Sequence, residues 1–198
     1  MADASVLSNA RFRLEDDFAG EPDVAVAKDL ADKNRRLLKP YVILLAMHIT
    51  LAHIGARARA QEALDASVCE YLRRCVGFVP CKTEAFRGEK ALLDWLERQR
   101  GRAGTVLMLL DGRGRQMSSE ELARWLGKQR DGGAQHVVFA VGPADGWTDE
   151  ARAEAKRRGG TLSLGPMTLA HSLARLVMAE QIYRACTILT GHPYHRGG

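Results

Sequence analysis

Thr105-Val106-Leu107-Met108-Leu109-Leu110 is an unbroken apolar run that stops at Asp111-Gly112-Arg113-Gly114. A short run bounded by turn formers reads as a strand buried on both faces, because a strand with one wet face alternates apolar and polar side chains. Gln135–Val141 has the same character. Between the two, Ser118–Arg130 opens with Ser118-Ser119-Glu120-Glu121, in which a hydroxyl and a carboxylate can satisfy the free N–H groups of a helix's first turn, and it stops before Asp131-Gly132-Gly133. Buried strand, helix, buried strand is the unit from which a parallel sheet with helices on both faces is built.

The same alternation extends in both directions. Residues 41–54 form a largely apolar run, too short and too interrupted by His48 and His53 to cross a bilayer, and Met47–Ile54 reads as a buried strand. Arg57–Cys75 carries Ala63, Leu64, Val68 and Leu72 at helical spacing, with Arg73 and Arg74 at the end the helix dipole favours for cations. Pro80–Phe86 follows as a short strand, Glu89–Gln99 as a helix, Thr148–Arg158 as a helix, Thr161–Leu164 as a short strand and His171–Thr190 as a final helix. The expected class is α/β, a mainly parallel sheet covered on both faces. Residues 1–40 are polar and poorly periodic, with Glu15-Asp16-Asp17 and Lys33-Asn34-Arg35-Arg36, and read as a disordered or loosely helical appendage. Met47 offers an alternative translation start, so the expected division is an extension over 1–46 and a domain over 47–198.

The 198 residues carry 46% apolar side chains, enough for a sizeable core, and a formal charge of +5. Without residues 1–46 the balance is 22 basic against 16 acidic side chains, so the basic character belongs to the domain. It suits an acidic partner, nucleic acid first, or a protein that is merely basic. Cys69, Cys75, Cys81 and Cys186 form no CxxC pair and follow no secretory signal; they read as reduced thiols of a cytosolic protein, and no metal site is expected.

In open α/β sheets, ligands bind beyond the carboxyl ends of the strands. Three glycine-bearing loops stand there: Asp111–Gly114, Gly142-Pro143-Ala144-Asp145-Gly146 and Gly165-Pro166-Met167-Thr168. None fits the dinucleotide or triphosphate fingerprints. His48, His53 and His136 read as packing or surface groups, and His171 as a turn residue or a site residue. On the last helix Ala174, Met178, Ile182, Cys186 and Leu189 lie on one stripe, with Leu173, Leu176 and Val177 beside it. That much apolar circumference fits a central core helix, or one that meets the sheet on one side and a second subunit on the other. Under the second reading Met178 and Ile182 belong to a two-fold interface. Glu180 and Arg184 read as a surface i, i+4 pair. The chain closes with an exposed His192-Pro193-Tyr194-His195-Arg196.

SLGPMTLAHSLARLVMAEQIYRA (163–185) followed by HPYHR (192–196) resembles the C-terminal signature of the SPOUT-class 23S rRNA pseudouridine N3-methyltransferases, the RlmH type. HITLAHIG (48–55) resembles that family's first strand, EYLRR (70–74) the end of its first helix, TVLMLLDGRGRQMSSEELA (105–123) its central strand and loop, and FAVGPADG (139–146) its glycine loop. The resemblance spans roughly Met47–Arg196. It implies a C-terminal trefoil knot, an exception to the rule against threaded chains, a homodimer, S-adenosylmethionine as methyl donor, and as acceptor a pseudouridine in the helix-69 loop of 23S rRNA on assembled ribosomes. Carried over, the cofactor contacts are Leu110, Gly142, Leu164, Gly165, Pro166, Met167, Thr168 and Leu169. Two departures stand out: Pro143 replaces a glycine and so removes a backbone donor, and Ala170 replaces the proline before His171. The basic segment after the second strand is also shorter than is typical of the family.

A sulfonium donor is already an activated electrophile, so catalysis needs alignment and removal of the N3 proton rather than a covalent nucleophile. Arg184, Tyr194 and His195 have suitable charge or proton affinity, with water as an alternative acceptor of the proton. In a knotted dimer the tail reaches the partner's cofactor. A catalytically silent RNA-binding protein of the same fold and a methyltransferase for another RNA nucleotide are the rival readings.

Overall fold

The computed structural model describes residues 47–55, 63–99 and 104–197. The proposed extension over 1–46, and the first residues of the helix expected from Arg57, lie outside the described residues. In chain order the elements are β1 (His48–Ile54), α1 (Ala63–Cys75), β2 (Cys81–Phe86), α2 (Glu89–Arg98), β3 (Thr105–Gln116), α3 (Ser119–Asp131), β4 (His136–Val141), α4 (Asp149–Arg158), β5 (Gly160–Ser163), α5 (His171–Thr190) and a 3₁₀ turn over Pro193–Gly197. All strand pairs are parallel, in the order β2-β1-β4-β3-β5. The expected α/β class with a parallel sheet is what forms.

Both faces of the sheet are covered because its central strands are apolar on both. On one face Ile49, Leu51, Val106, Met108, Val137 and Phe139 pack with Val68 and Leu72 of α1, Leu122 and Leu126 of α3, and Met178 and Ile182 of α5. On the other, Ala52, Leu107, Leu109, Val138 and Ala140 pack with Leu92 and Leu96 of α2, Trp147, and Ala151 and Ala155 of α4. Successive residues of β3 alternate between the two cores, the period-2 rule of a strand. The Ser118 hydroxyl and the Glu121 carboxylate form the full reciprocal capping box at α3, and the Thr148 hydroxyl caps α4.

Two readings need correction. Asp111–Gly114 is not a free loop after a six-residue strand: β3 runs on to Gln116, and residues 111–114 bulge out between the Leu110 and Arg115 pairings with β5. Glycine is required at 114, where a Cβ would lie 2.7 Å from the Leu162 backbone. Met178 and Ile182 are fully buried within the chain, in the core between α5 and the sheet, and so do not form a subunit interface. The apolar surface α5 leaves over is Leu173, 42% exposed, and Val177, 37% exposed.

Candidate functional site

Because every strand is parallel, all the carboxyl ends lie along one edge, where α/β sheets place their sites. Leu110 is paired with Val141 on one side and Leu162 on the other. Leu110, Gly142 and Leu164 are therefore brought together from three neighbouring strands. Gly142 is packed tightly: a Cβ there would stand 2.7 Å from Trp147 Cε2, and the Trp147 indole N–H donates to the Leu110 carbonyl at 2.8 Å. This tryptophan ties the second glycine loop to β3 at Leu110, where the bulge begins. Sequence reasoning passed over it; an indole within five residues of a strand-ending glycine was the available signal.

The third loop is shaped by its own backbone. The Ser163 hydroxyl accepts from Gly165 N–H at 3.2 Å and donates to Gly165 C=O at 3.1 Å, and Gly165 holds φ +126°, a value side-chain-bearing residues rarely adopt. Leu164 and Leu169 are half-buried, whereas Pro166, Met167 and Thr168 are exposed, Met167 at 80%. Beyond the loop, Arg175 Nη1 meets Asp65 Oδ1 at 2.7 Å in a buried pair that pins the first turns of α5 to α1. His171 stands in that first turn, and burial, with Arg175 beside it, holds its imidazole below the ordinary value.

A cavity of about 330 Å³ opens between Gln116–Ser119, Leu162–Gly165 and the α5 residues Val177 and Gln181. Its size lies at the lower end of the small-molecule range, roughly 300–1,000 Å³. Leu122, Leu162, Leu164 and Val177 offer apolar walls for a flat heterocycle, and Ser118, Ser119 and Gln181 offer polar groups for a ribose or an amino acid end. Of the eight residues carried over as cofactor contacts, Leu164 and Gly165 line this cavity.

The tail is folded down rather than extended. Arg184 Nε and Nη2 donate to Glu180 Oε1 at 2.9 and 2.7 Å, and the Tyr194 hydroxyl reaches the same oxygen at 3.1 Å. The Arg184 guanidinium lies 5.0 Å from the centre of the Tyr194 ring. Burial, then the hydroxyl of Tyr71 and the carboxylate of Glu180, push the Tyr194 phenol up to about 12. His195 Nε2 sits 3.1 Å from Glu120 Oε1. The Ser118 hydroxyl, which hydrogen-bonds the Glu120 carboxylate at 2.6 Å, holds that carboxyl below its usual range, with His195 adding to the effect.

Arg184, Tyr194 and His195 thus share one end of the molecule but do not line the cavity. Two hydrogen-bonded paths connect them to its wall: Glu180 to Gln181 at 2.7 Å and on to Ser119 at 2.7 Å, and Glu120 to Ser118. The Glu180–Arg184 pair is more than the surface pair expected from its spacing; its side chains are 17% and 22% exposed and shared with Tyr194. The other histidines behave as packing groups: His136 is buried, stacked on His48 at 3.9 Å, with Thr50 Oγ1 at 2.9 Å, and burial pushes it down to about 3. Among the described residues no cluster of side chains suits a metal ion and no helix is long and apolar enough to cross a membrane.

Residues 47–195 match the family described as "Predicted SPOUT methyltransferase". The chain is 47% identical over 137 residues to the ribosomal RNA large subunit methyltransferase H of Koribacter versatilis, covering 69% of this chain and 91% of the relative. It is 50% identical over 167 residues to the protein of the same name from Xanthobacter autotrophicus, covering 76% of this chain and 99% of the relative. The solved SpoU methyltransferase AviRb of Streptomyces viridochromogenes is a distant likeness, with 11% identity and a TM-score of 0.40 over 71% of this chain and 60% of that one. This chain belongs to the SPOUT methyltransferase family.

Proposed function

We propose that this protein transfers a methyl group from S-adenosylmethionine to N3 of a pseudouridine in the helix-69 loop of 23S rRNA, on the assembled ribosome in the cytoplasm. One observation carries the reading: the likeness to relatives called ribosomal RNA large subunit methyltransferase H runs through 99% of the length of one of them, and the family match continues to His195 in the tail. We further propose the trefoil-knotted chain path and the homodimer that the resemblance implies. The exposed Met167, Leu173 and Val177 on and after the third loop support a second copy, because apolar side chains gathered at one end gain by burial.

The 330 Å³ cavity and the segments Leu110, Gly142 and Leu164–Leu169 would hold the donor. When bound, it supplies a methyl already activated by the sulfonium charge. The chain's own residues align the acceptor and manage its proton. His195, whose Nε2 lies 3.1 Å from Glu120, or water takes the N3 proton. Tyr194 turns its single O–H from Glu180 to a developing uracil oxyanion, and Arg184 stabilises the same charge electrostatically. In the dimer each tail serves the partner's cavity. Mass spectrometry of 23S rRNA from a strain lacking the protein tests the target: a methylated pseudouridine that persists refutes it.

Pro143 supports one rival, a silent RNA-binding relative, because it withholds a backbone donor from the second loop. Calorimetric titration with S-adenosylmethionine separates the two. Saturable binding supports the enzyme; no heat up to millimolar donor supports the silent protein.

A further inference from the structure

A second cavity, about 260 Å³, is lined by Asp111 and Arg113 of the β3 bulge, Arg152 and Lys156 of α4, and Gly160 and Thr161 of β5. Three of these six residues are cationic. Asp111 offsets one of them: Oδ1 accepts the Arg113 backbone N–H at 2.9 Å and Oδ2 accepts Arg152 Nε at 2.7 Å in an ion pair. Arg152 Nη1 goes to Asp149 at 3.1 Å, an outward carboxylate that is fully exposed and so screened by solvent. Its remaining nitrogen, Nη2, stands beside Gly146.

The rest of the basic turn of α4 is already spent. Arg157 and Arg158 pair with Glu154, and Arg158 also with Glu97 at 3.5 Å. Lys156 and Arg113 make no hydrogen-bonded ion pair among the described residues. Arg152 and Lys156, four residues apart on one helix face, repel each other. The fold therefore sets Arg113 and Lys156 around a concavity beside an Arg152 already paired with Asp111 and Asp149, and the cationic surplus left on Arg113 and Lys156 is one that an entering anion relieves.

The position of this cavity says which anion. It begins one residue past Leu110, and Arg152 on its wall stands beside Gly146 of the second glycine loop, so it adjoins the edge where the proposed donor and acceptor meet. A polymer that delivers a base to that edge must run its backbone close by. We propose that the Arg113–Arg152–Lys156 cavity holds a phosphodiester of the RNA substrate and sets the register of the strand for methyl transfer. The proposal rests on the rRNA methyltransferase reading given above.

The test uses the full chain, the double variant Arg113→Ala/Lys156→Ala and the single variant Lys156→Glu; these leave the Asp111–Arg152 anchor and the Arg113 N–H in place. Methyl transfer to ribosomes is followed at several potassium chloride concentrations, and donor affinity by calorimetry. Phosphate contacts are lost with salt at a slope near one per contact. The double variant is expected to raise KM for ribosomes about tenfold or more and to lower the salt slope by one to two, with kcat and donor affinity unchanged. An unchanged KM and slope overturn the proposal. So does a loss of donor affinity, which would assign the cations to the cofactor, or erasure of the difference by 10 mM inorganic phosphate at constant ionic strength, which would mark a free-phosphate site. If the unaltered protein methylates no ribosomes, the functional reading fails on its own. Filter binding of a single-stranded 23S rRNA fragment then decides the cavity: weaker, less salt-dependent binding by the variant supports it, and equal binding overturns it.

Discussion

Replacing Gly142 by Ala tests whether the strand ends are held by the Trp147 clasp. The new methyl would lie 2.7 Å from Trp147 Cε2 and 2.8 Å from Nε1, so the indole must move by several tenths of an ångström or more. Trp147 is only 4% exposed and packed against Ala151 and Ala155, which leaves it little room. Overpacking of this kind costs about 1–3 kcal/mol. Movement also breaks the 2.8 Å bond from Nε1 to the Leu110 carbonyl, worth about 0.5–1.5 kcal/mol. The expected loss is about 2–4 kcal/mol, which for a chain of this size is roughly 5–15 °C in Tm. Thermal unfolding followed by circular dichroism reads it directly. The companion Trp147→Leu relieves the clash, so the double variant should be less destabilised than the sum of the singles. If Gly142→Ala melts within a degree or two of the parent, the indole does not clasp these strand ends and the explanation of Gly142 fails.

Deleting residues 193–198 should lower methyl transfer about a hundredfold or more while donor affinity changes by less than about 1 kcal/mol, the scale of losing positioned acid–base and electrostatic groups; a normal rate in single-turnover assays would remove Tyr194 and His195 from the chemistry. Burial holds His136 near 3 when folded, against an ordinary 6.5, so the unfolded chain binds the extra proton. Its contribution to stability is complete above pH 6.5 and falls as the pH drops toward 3, by about 1.4 kcal/mol per pH unit at the steepest; His136→Gln should flatten that limb in urea titrations run from pH 7 to pH 4. For the homodimer, Val177→Asp should give a folded monomer and Met178→Asp an unfolded chain, because the first carboxylate meets solvent and the second a closed core. Sedimentation velocity with far-ultraviolet dichroism separates these outcomes, and a folded dimer from Val177→Asp would place the interface elsewhere.

Much of the fold was legible because its signals are local. TVLMLL over 105–110 and the apolar stretch of β4 need cover on both faces wherever they lie, and the Ser118–Glu121 box marks a helix start from four consecutive residues. The helix over His171–Thr190 ends at Gly191, whose φ of +70° is the left-handed cap that glycine supplies cheaply. Where reading failed, the deciding partner was distant in sequence. Asp111–Gly114 read as a glycine-bearing loop beyond the end of a strand, since nothing local says that Gly114 will lie against Leu162. Met178 and Ile182 looked like surplus because a helix's own periodicity cannot say how many of its sides the sheet and neighbouring helices will cover.

The site divides in the same way. The residue types were written in the chain: a glycine where the third loop turns, and a tyrosine and histidine after the last helix. Their surroundings were decided by contacts across the fold. Glu180 becomes a hub only because α5 and the tail turn bring Arg184, Gln181 and Tyr194 around one carboxylate. Burial and that carboxylate further disfavour the Tyr194 phenolate. By itself the sequence determined which segments are strands and helices, because hydrophobic period and capping act within a few residues. The strand order β2-β1-β4-β3-β5, the clasp of Trp147 on Gly142 and the cationic cavity at Arg113, Arg152 and Lys156 were decided by the tertiary structure, because burial and electrostatic energies depend on distances in space that the spacing of residues along a chain does not contain.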